Sequence, residues 1–399
     1  MRRSLSILAV ACAAVSLAGV APTAASAAPA ARPATPAQPA THVRSAAHAV
    51  DPATLRAAVA AHNAATPHIA HLDSSLQSAP QAKNGTVPVT VSGDAAKAAA
   101  AVRNVGGRVL ASVSGAVSAM VPPARLSELA GSAGVQSVAR SVKAYVQGDS
   151  EGVGASNAGP ASTATSWQGS GNTGSGVTVA IVDAGFANLA AEVTAGHLPA
   201  GTIVNGDHCG GNVDNTQHGT AVAEIVHQMA PSAKLFLYCV TDNVGFAAAE
   251  QDIERQRAND PTNAISIVNS SLGFPGDSRG DGTGATDSAA ATVKKARQAG
   301  ILWIQSAGNN GYDHWSGRLA DANAGGGDGL ADLAGTAIQD EFDSMYLAPS
   351  AGTGTAILQW EGWPTSRAKV SLVSYGWQCH DSTCNASGPT PPTPIDTNT

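Results

Sequence analysis

The sequence predicts an α/β fold in which helices cover both faces of a parallel sheet. Four apolar runs are continuous rather than alternating, which is typical of strands buried on both faces. They occupy residues 177–182, 234–240, 265–269 and 301–306. Helical stretches lie between them, at residues 220–229, 245–258 and 287–300. Strands and helices that alternate at this spacing form parallel sheets, whose functional residues collect at the carboxyl ends of the strands.

Residues 85–147 follow a different pattern, which predicts a compact two-layer unit. Strand-like runs and helix-like runs follow one another in the order β-α-β-β-α-β, typical of a ferredoxin-like unit. The strand-like runs are residues 86–91, 108–113, 116–121 and 135–145, and the helices begin at Ala95 and at Pro122-Pro123. Residues 148–176 are rich in Gly, Ser, Thr and Asn and are predicted to be a linker.

The N-terminus has the features of an export signal. Met1-Arg2-Arg3 is basic, residues 5–20 are apolar, and Ala25-Ser26-Ala27 fits a cleavage site, so residues 1–27 are predicted to be a signal peptide. A membrane anchor is the alternative, but the apolar run is short for a span. We therefore expect a secreted, extracellular protein with no membrane partner. Residues 28–84 are Ala- and Pro-rich and are expected to be a partly disordered leader.

The charge and the cysteines narrow the classes of partner. The net charge of −7 gives no basic surface for nucleic acid or for an anionic membrane.

Four of the five cysteines lie beyond the signal, and an even set is typical of disulfides in an exported chain. Three pairings are open, and we favour Cys209–Cys239 with Cys379–Cys384 because each pair lies within one segment. A metal site at His208-Cys209 and His218 lacks the usual ligand spacing, so no metal ligands are predicted.

The C-terminal part changes pattern once more. Residues 312–388 alternate Gly-rich turns with short strand-like runs, which predicts an incomplete β-sandwich-like insert. Residues 389–399 form a Pro- and Thr-rich tail without periodicity. A carbohydrate-binding or adhesive role for this region is a weak alternative, because its tryptophans are equally well explained as core residues.

Three polar residues stand where strands end or helices begin. Asp183 ends a buried strand, His218 stands where a polar loop enters an apolar helix, and Asn309 follows a strand and a glycine. Each alone has an ordinary explanation as a turn, capping or solvated residue. Together they supply what acyl transfer needs: a carboxylate that orients an imidazole, a general base, and an amide that donates to an oxyanion. Ser271, Leu272 and Gly273 follow another strand, where exposed backbone can pair with an extended peptide.

These pieces, in this order and spacing, resemble the subtilase family of serine peptidases over roughly residues 170–315. The resemblance implies a subtilisin-like sheet, with residues 177–311 as a partial catalytic domain. It implies Asp183 as the orienting carboxylate, His218 as the general base and Asn309 as the oxyanion donor. It also implies that Ser271, Leu272 and Gly273 line the substrate cleft. By the same resemblance, residues 85–147 are similar to the propeptide that folds with, and inhibits, such peptidases.

The sequence departs from the family pattern in three places. Ala221 and Glu224 stand where the family usually has His and Gly, and Ala184 follows Asp183 where Ser or Thr is commoner. More seriously, no Gly-Thr-Ser stretch opens an apolar helix after Asn309. Ser344 is the nearest local match, but it lacks the preceding Gly-Thr and precedes strand-like residues. The nucleophilic serine is therefore not recognisable in this chain.

Two interpretations of the missing serine stay open. We favour a fragment of a longer serine endopeptidase zymogen, cut inside the insert. The alternative is a catalytically inactive subtilase-like protein that binds peptides. The expected partners are polypeptide substrates and the chain's own propeptide, and we expect a monomer. The chemistry requires no cofactor. Structural calcium is implied by the resemblance, but no Asp-x-Asp-x-Asp-Gly loop is present to name a site.

Overall fold

The computed structural model describes residues 69–77, 85–146, 164–280, 282, 285–308, 372–375 and 394–398. Two compact units divide the chain, and almost all described residues belong to the unit that includes residues 66–316. The other unit contributes two described strands, at residues 372–375 and 394–398. The predicted signal peptide, Asn309, Ser344 and the Cys379–Cys384 pair lie outside the described residues.

The first part of the chain forms a four-stranded antiparallel sheet with helices packed against it. The strand order is β2-β3-β1-β4, which is the ferredoxin-like order. The strands are β1 (Val87–Gly93), β2 (Arg108–Val113), β3 (Ala116–Val121) and β4 (Val135–Arg140). The helices are α1 (Ser74–Gln77), α2 (Ala95–Asn104) and α3 (Leu126–Ala130), the last preceded by a 3-10 turn at Pro123–Arg125. We call residues 85–146 the antiparallel unit.

The alternating pattern of β1 places one of its faces in a core. Val87, Val89 and Val91 are buried, while the residues between them are partly exposed. Helix α2 packs Ala98 and Val102 into the same core and begins at Asp94, whose carboxylate accepts the Lys97 N–H at 3.1 Å. Such an N-cap satisfies a backbone donor that the helix itself cannot pair.

The end of the predicted leader is part of this core. Leu72 and Leu76 are only 7% and 3% exposed, and Leu72 bridges Val138 of β4. Two apolar side chains from the predicted leader are thus buried against the antiparallel sheet.

The next part of the chain is a five-stranded sheet in which every neighbouring pair is parallel. The strand order is β11-β9-β6-β8-β7. Its strands are β6 (Thr178–Asp183), β7 (Ile203–His208), β8 (Lys234–Val240), β9 (Ile265–Ser270) and β11 (Leu302–Gln305). Its helices are α5 (Leu189–Ala195), α6 (His218–Met229), α7 (Asn243–Asn259) and α8 (Ala289–Gln298). The predicted α/β class with a parallel sheet is confirmed.

Strand β6 is the centre of the sheet. All six of its residues are buried, because side chains on one face join the core beneath α7 and α8 and those on the other join the core beneath α6. The chain moves from β6 to one edge and later crosses to the other side. Open sheets bind ligands outside the carboxyl ends of the strands where the strand order reverses, so the end of β6 is the expected place for a site.

A small-residue interface joins the antiparallel unit to helix α7. Ala111, Val113 and Ala116 of β2 and β3 pack against Val244 and Ala247 of α7. The Ser118 hydroxyl donates to the Asp242 carboxylate across this interface. Asp242 is 2% exposed, and its other carboxylate oxygen caps α7 by accepting the Gly245 N–H at 2.9 Å.

The strand predicted over residues 135–145 is two strands in the structure. Strand β4 ends at Arg140, and β5 (Tyr145–Val146) pairs antiparallel with β10 (Leu272–Gly273). Tertiary contact decides this break: the Val142 carbonyl accepts the Asn243 N–H at 3.1 Å, and the Ala144 N–H donates to the Thr241 carbonyl at 3.0 Å. We call residues 141–146 the tail of the antiparallel unit.

Several elements, among them one helix in the predicted linker, were not predicted from the sequence. Helix α4 (Ala164–Gly169) lies in the predicted linker, where the Gln168 amide donates to the Gln228 carbonyl at 2.7 Å. Strand β7 is a polar edge strand and α5 is only seven residues long. Polar edge strands and short helices give weak periodicity, because much of their surface faces water.

Cys209 and Cys239 form a disulfide, as predicted, with 5.5 Å between their Cα atoms.

In the second compact unit, β12 (Leu372–Tyr375) pairs antiparallel with β13 (Pro394–Asn398). Strand β13 lies within the predicted Pro- and Thr-rich tail. Within the described ranges, no helix has the length and apolar character needed to cross a membrane.

Candidate active site

Asp183 is the last residue of the central strand β6, and its side chain is completely buried. A buried carboxylate needs hydrogen-bond donors. The Ala184 N–H donates to Asp183 Oδ1 at 2.8 Å, and the Gly185 N–H is a further donor. The turn after the strand thus supplies backbone donors to the carboxylate that the strand presents.

His218 is the first residue of α6, and its side chain is 5% exposed. Its Nδ1 lies 2.8 Å from Asp183 Oδ2 and 3.0 Å from Asp183 Oδ1. The structure therefore brings together two predicted site residues that are 35 positions apart in sequence. The Thr216 hydroxyl, which sequence reasoning missed, accepts the His218 N–H at 3.2 Å and holds the start of the helix.

Two glycines allow the helix start to approach the strand end. A Cβ at Gly219 would lie 2.5 Å from the Gly185 carbonyl oxygen and 2.8 Å from Asp183 Cβ. A Cβ at Gly185 would lie 2.6 Å from the Thr216 backbone nitrogen. Because backbone atoms cannot move aside as a flexible side chain can, both positions require glycine for the aspartate and histidine to meet.

Burial and hydrogen bonding act in opposite directions on Asp183. Burial is the larger effect and raises the pKa of this carboxyl above its usual range, while the His218 imidazole and the two backbone N–H donors limit the rise. These donors favour the ionised form, which an orienting carboxylate needs in order to stabilise an imidazolium.

The predicted substrate segment lies beside this pair in the sheet. Strand β9, next to β6, ends at Ser270, and β10 follows at once. The backbone of Leu272 and Gly273 pairs with the tail at Val146 and Tyr145, so it does accept an extended strand. The Leu272 side chain, however, is 1% exposed and packs in the core. Leu272 can therefore line a cleft only with its backbone.

The end of β11 meets the same segment. Gln305 is the last residue of β11, and its side-chain amide donates to the Leu272 carbonyl at 2.5 Å. This contact was not predicted, because nothing in the local sequence distinguishes Gln305 from a solvated polar residue. Asn309, the predicted oxyanion donor, follows four residues later and lies outside the described residues.

A half-buried acid, Asp277, lies beyond the substrate segment. Asp277 accepts the Ala289 N–H at the start of α8 at 2.5 Å. Burial raises the pKa of Asp277 to about 7, and the charge of neighbouring Asp287 adds to the rise. The Asn243 side chain contacts both carboxyls.

His208, Cys209 and His218, which the sequence analysis considered as metal ligands, have other partners in the structure. Cys209 is in the disulfide, and His208 Nε2 lies 2.5 Å from Asp252 Oδ2. His218 faces Asp183. These three side chains therefore do not form one ligand set.

A parallel α/β sheet with a buried Asp-His pair at the end of its central strand is typical of a subtilisin-like serine peptidase. Comparison with known proteins points to the same class. Residues 174–329 match the model of the subtilase family (Peptidase_S8). This segment is therefore similar to the subtilases, a family of serine peptidases. The comparison with curated proteins found no match.

Two solved structures are similar to the chain. One is fervidolysin from Fervidobacterium pennivorans, a keratinolytic enzyme related to subtilisin: identity is 18%, the TM-score is 0.29, and the match covers 63% of this chain and 44% of that one. The other is the epidermin leader peptide processing serine protease EpiP from Staphylococcus aureus: identity is 14%, the TM-score is 0.34, and coverage is 57% and 61%. The chain spans less than two thirds of the length of either protein.

The close approach at Gly219 can be tested by Gly219→Ala. Alanine normally stabilises a helix by about 1 kcal/mol relative to glycine, but here the added Cβ meets backbone and should instead destabilise by about 1–3 kcal/mol. Urea unfolding measures the loss, and the NMR resonance of the proton shared by His218 and Asp183 reports their separation. Gly201→Ala is the control, since no atom lies within 4 Å of its Cβ. A stabilised Gly219→Ala protein with an unchanged resonance would contradict the steric argument.

The raised pKa of Asp277 predicts a pH-dependent stability. Below the unfolded-state pKa of about 4 the carboxyl is neutral in both states; as the pH rises toward 7 only the unfolded chain ionises, so stability falls. The stability of Asp277→Asn relative to the wild type should therefore increase by roughly 2 kcal/mol from pH 5 to pH 8. The free energy of unfolding in urea, measured at both pH values, checks this.

Asp94→Asn is the control for this titration. The pKa of Asp94 is lowered by the Lys97 backbone N–H, so this carboxyl is ionised at both pH values. Its difference from the wild type should stay constant, and an equally constant difference for Asp277→Asn would disprove the burial effect.

Proposed function

We propose that this chain is part of a secreted serine endopeptidase that hydrolyses peptide bonds by acyl transfer. The observation that carries the proposal is the buried contact between Asp183 and His218 at the carboxyl end of the central strand. Asp183 Oδ2 and His218 Nδ1 lie 2.8 Å apart. A buried carboxylate held on one imidazole nitrogen is the arrangement that orients a general base.

His218 acts as the general base in this proposal. Because Nδ1 faces the carboxylate, the other ring nitrogen, Nε2, accepts the proton of the attacking hydroxyl and later delivers it to the leaving amine. Asp183 selects the tautomer with a proton on Nδ1 and stabilises the imidazolium. Loss of such a carboxylate leaves the geometry intact but lowers kcat by about 10⁴ in the enzymes where it has been measured.

The strand ends beside β6 supply the rest of the proposed machinery. Asn309 donates to the tetrahedral oxyanion, and Ser271, Leu272 and Gly273 bind the substrate through backbone pairing. Pairing between β10 and the tail supports the second role, since extended chain already lies on this edge. The nucleophile is a serine that is not recognisable in these 399 residues, and no cofactor takes part in the chemistry.

The antiparallel unit acts as an inhibitory propeptide in this proposal. Its sheet contacts α7 through small side chains, and its tail lies on the edge that the substrate would use. A substrate cannot pair with β10 while the tail is there. The secreted protein is then a zymogen that becomes accessible to polypeptides when the unit is removed.

A catalytically inactive peptide-binding protein is the second candidate. It is favoured by the same pairing of β5 with β10, because that edge binds extended chain whether or not a serine is present. The two candidates share the binding edge and differ only in the covalent step.

The binding edge can be tested by removing the N–H donors of the tail. Tyr145→Pro with Val146→Pro leaves the tail extended but takes away its backbone hydrogens, so Leu272 and Gly273 should lose their partner. Hydrogen exchange at whichever of these two backbone N–H groups donates to the tail should become faster by at least about ten-fold, the effect of about 1.4 kcal/mol, because the displaced tail no longer accepts its hydrogen bond. The matched control, Tyr145→Ala with Val146→Ala, keeps both donors. Unchanged exchange in the proline variant would mean that the tail does not cover this edge.

The covalent step can be tested on the product of the complete reading frame. A serine-directed phosphonate should label that product after removal of the antiparallel unit, and labelling should fall by about 10³-fold or more in His218→Ala, because an unactivated hydroxyl is a weak nucleophile. Labelling is followed by intact mass.

Asp252→Asn is the control for that experiment, since Asp252 contacts a different histidine, His208, at 2.5 Å. Equal labelling of His218→Ala and the wild type would show that the base is misassigned. A full product that binds peptides but is never labelled would establish the second candidate instead.

A further inference from the structure

Three side chains of types that can bind a metal ion lie close together beside α5 and α6. Glu192 lies on α5, His197 follows the end of that helix, and Glu224 lies on α6, six residues beyond His218. One ligand atom from each side chain lies within 4.8 Å of the other two. We call Glu192, His197 and Glu224 the Glu-His-Glu cluster.

The contacts inside the cluster are close. His197 Nδ1 lies 2.6 Å from Glu192 Oε2, and the carboxyls of Glu192 and Glu224 share a hydrogen bond. Glu224 is only 8% exposed, whereas the His197 side chain is 60% exposed. Two carboxyl groups in contact, one of them buried, repel each other unless a proton or a cation lies between them.

We propose that Glu192, His197 and Glu224 bind a divalent transition-metal ion, and that Zn²⁺ is the ion that this donor set fits best. Glutamate oxygens and an imidazole nitrogen are established zinc ligands, and three protein ligands leave a fourth position for water. Calcium and magnesium prefer oxygen ligands alone, so the imidazole argues against them.

Small side-chain rotations bring the cluster to zinc geometry. Ligands about 2.0–2.2 Å from a tetrahedral ion lie roughly 3.3–3.5 Å from one another. The 2.6 Å contact between His197 and Glu192 has to open, and the widest separation, at most 4.8 Å, has to close. The exposed imidazole can move readily, and it gives an ion access to the buried Glu224.

A bound ion would join α5 to α6, the helix that carries His218. Helix α5 follows the strand that ends in Asp183, and α6 begins with His218. Coordination across these helices restrains the helix that holds the imidazole. The proposal rests on the cluster itself, and it stands whether or not the chain is a peptidase.

Zinc binding to the intact chain tests the proposal. The chain is stripped with a chelator, its thiols are alkylated to remove competing cysteine ligands, and Zn²⁺ is titrated by calorimetry. We expect one zinc per chain and a rise in the unfolding temperature with zinc concentration, because the ion binds the folded state. Glu224→Gln and His197→Gln should each weaken binding by at least about ten-fold, a loss typical even of groups outside the ligand shell.

Two matched variants keep the cluster intact. Glu128→Gln, in the antiparallel unit, and His71→Gln, in the segment that precedes it, remove the same chemical groups far from the cluster in sequence and should bind zinc as the wild type does. If Glu224→Gln does not fold, the exposed His197→Gln variant decides. Equal zinc binding by all four variants, or the absence of stoichiometric binding by the wild type, would overturn the site. Calcium binding that does not need His197 would overturn the choice of ion.

Discussion

The hydrogen bond between Asp183 and His218 is the interaction on which the rest of the described site depends. It lies at the carboxyl end of the central strand, where Asp183 is wholly buried. An isolated carboxylate at such a depth would be costly, and the histidine and two backbone N–H groups offset that cost. The arrangement requires glycine at 185 and 219, because a Cβ at either position would collide with backbone atoms across the contact.

A second constraint comes from the antiparallel unit. Its contact with α7 uses small side chains, which allow sheet and helix to pack closely, and one buried hydrogen bond from Ser118 to Asp242. That hydrogen bond ties the interface to the capping of α7, since the same carboxylate accepts the Gly245 N–H. Beyond the interface, the tail continues along residues 241–243 and pairs with β10. The substrate edge inferred from the sequence and the edge that holds the tail are thus the same backbone.

Glu224 links the site to the Glu-His-Glu cluster. It stands where the family pattern usually has glycine. In the structure the additional carboxylate faces Glu192 and His197 rather than solvent. A position that departs from the family pattern therefore carries the strongest indication of chemistry outside the Asp-His pair.

The sequence by itself determined the α/β class, the buried strand β6 and the order of the motifs, because a strand buried on both faces has to be continuously apolar and β6 is. It also indicated the Cys209–Cys239 pair, whose members are near in sequence. Only the tertiary structure decided the separation of β5 from β4, the core position of the Leu272 side chain, and the meeting of Glu192 and His197 with Glu224. Each of these depends on contact between segments distant along the chain, and local periodicity contains no information about such contacts. The Asp183–His218 pair stands between the two cases: the sequence indicated its members, and packing at Gly185 and Gly219 decided that they meet.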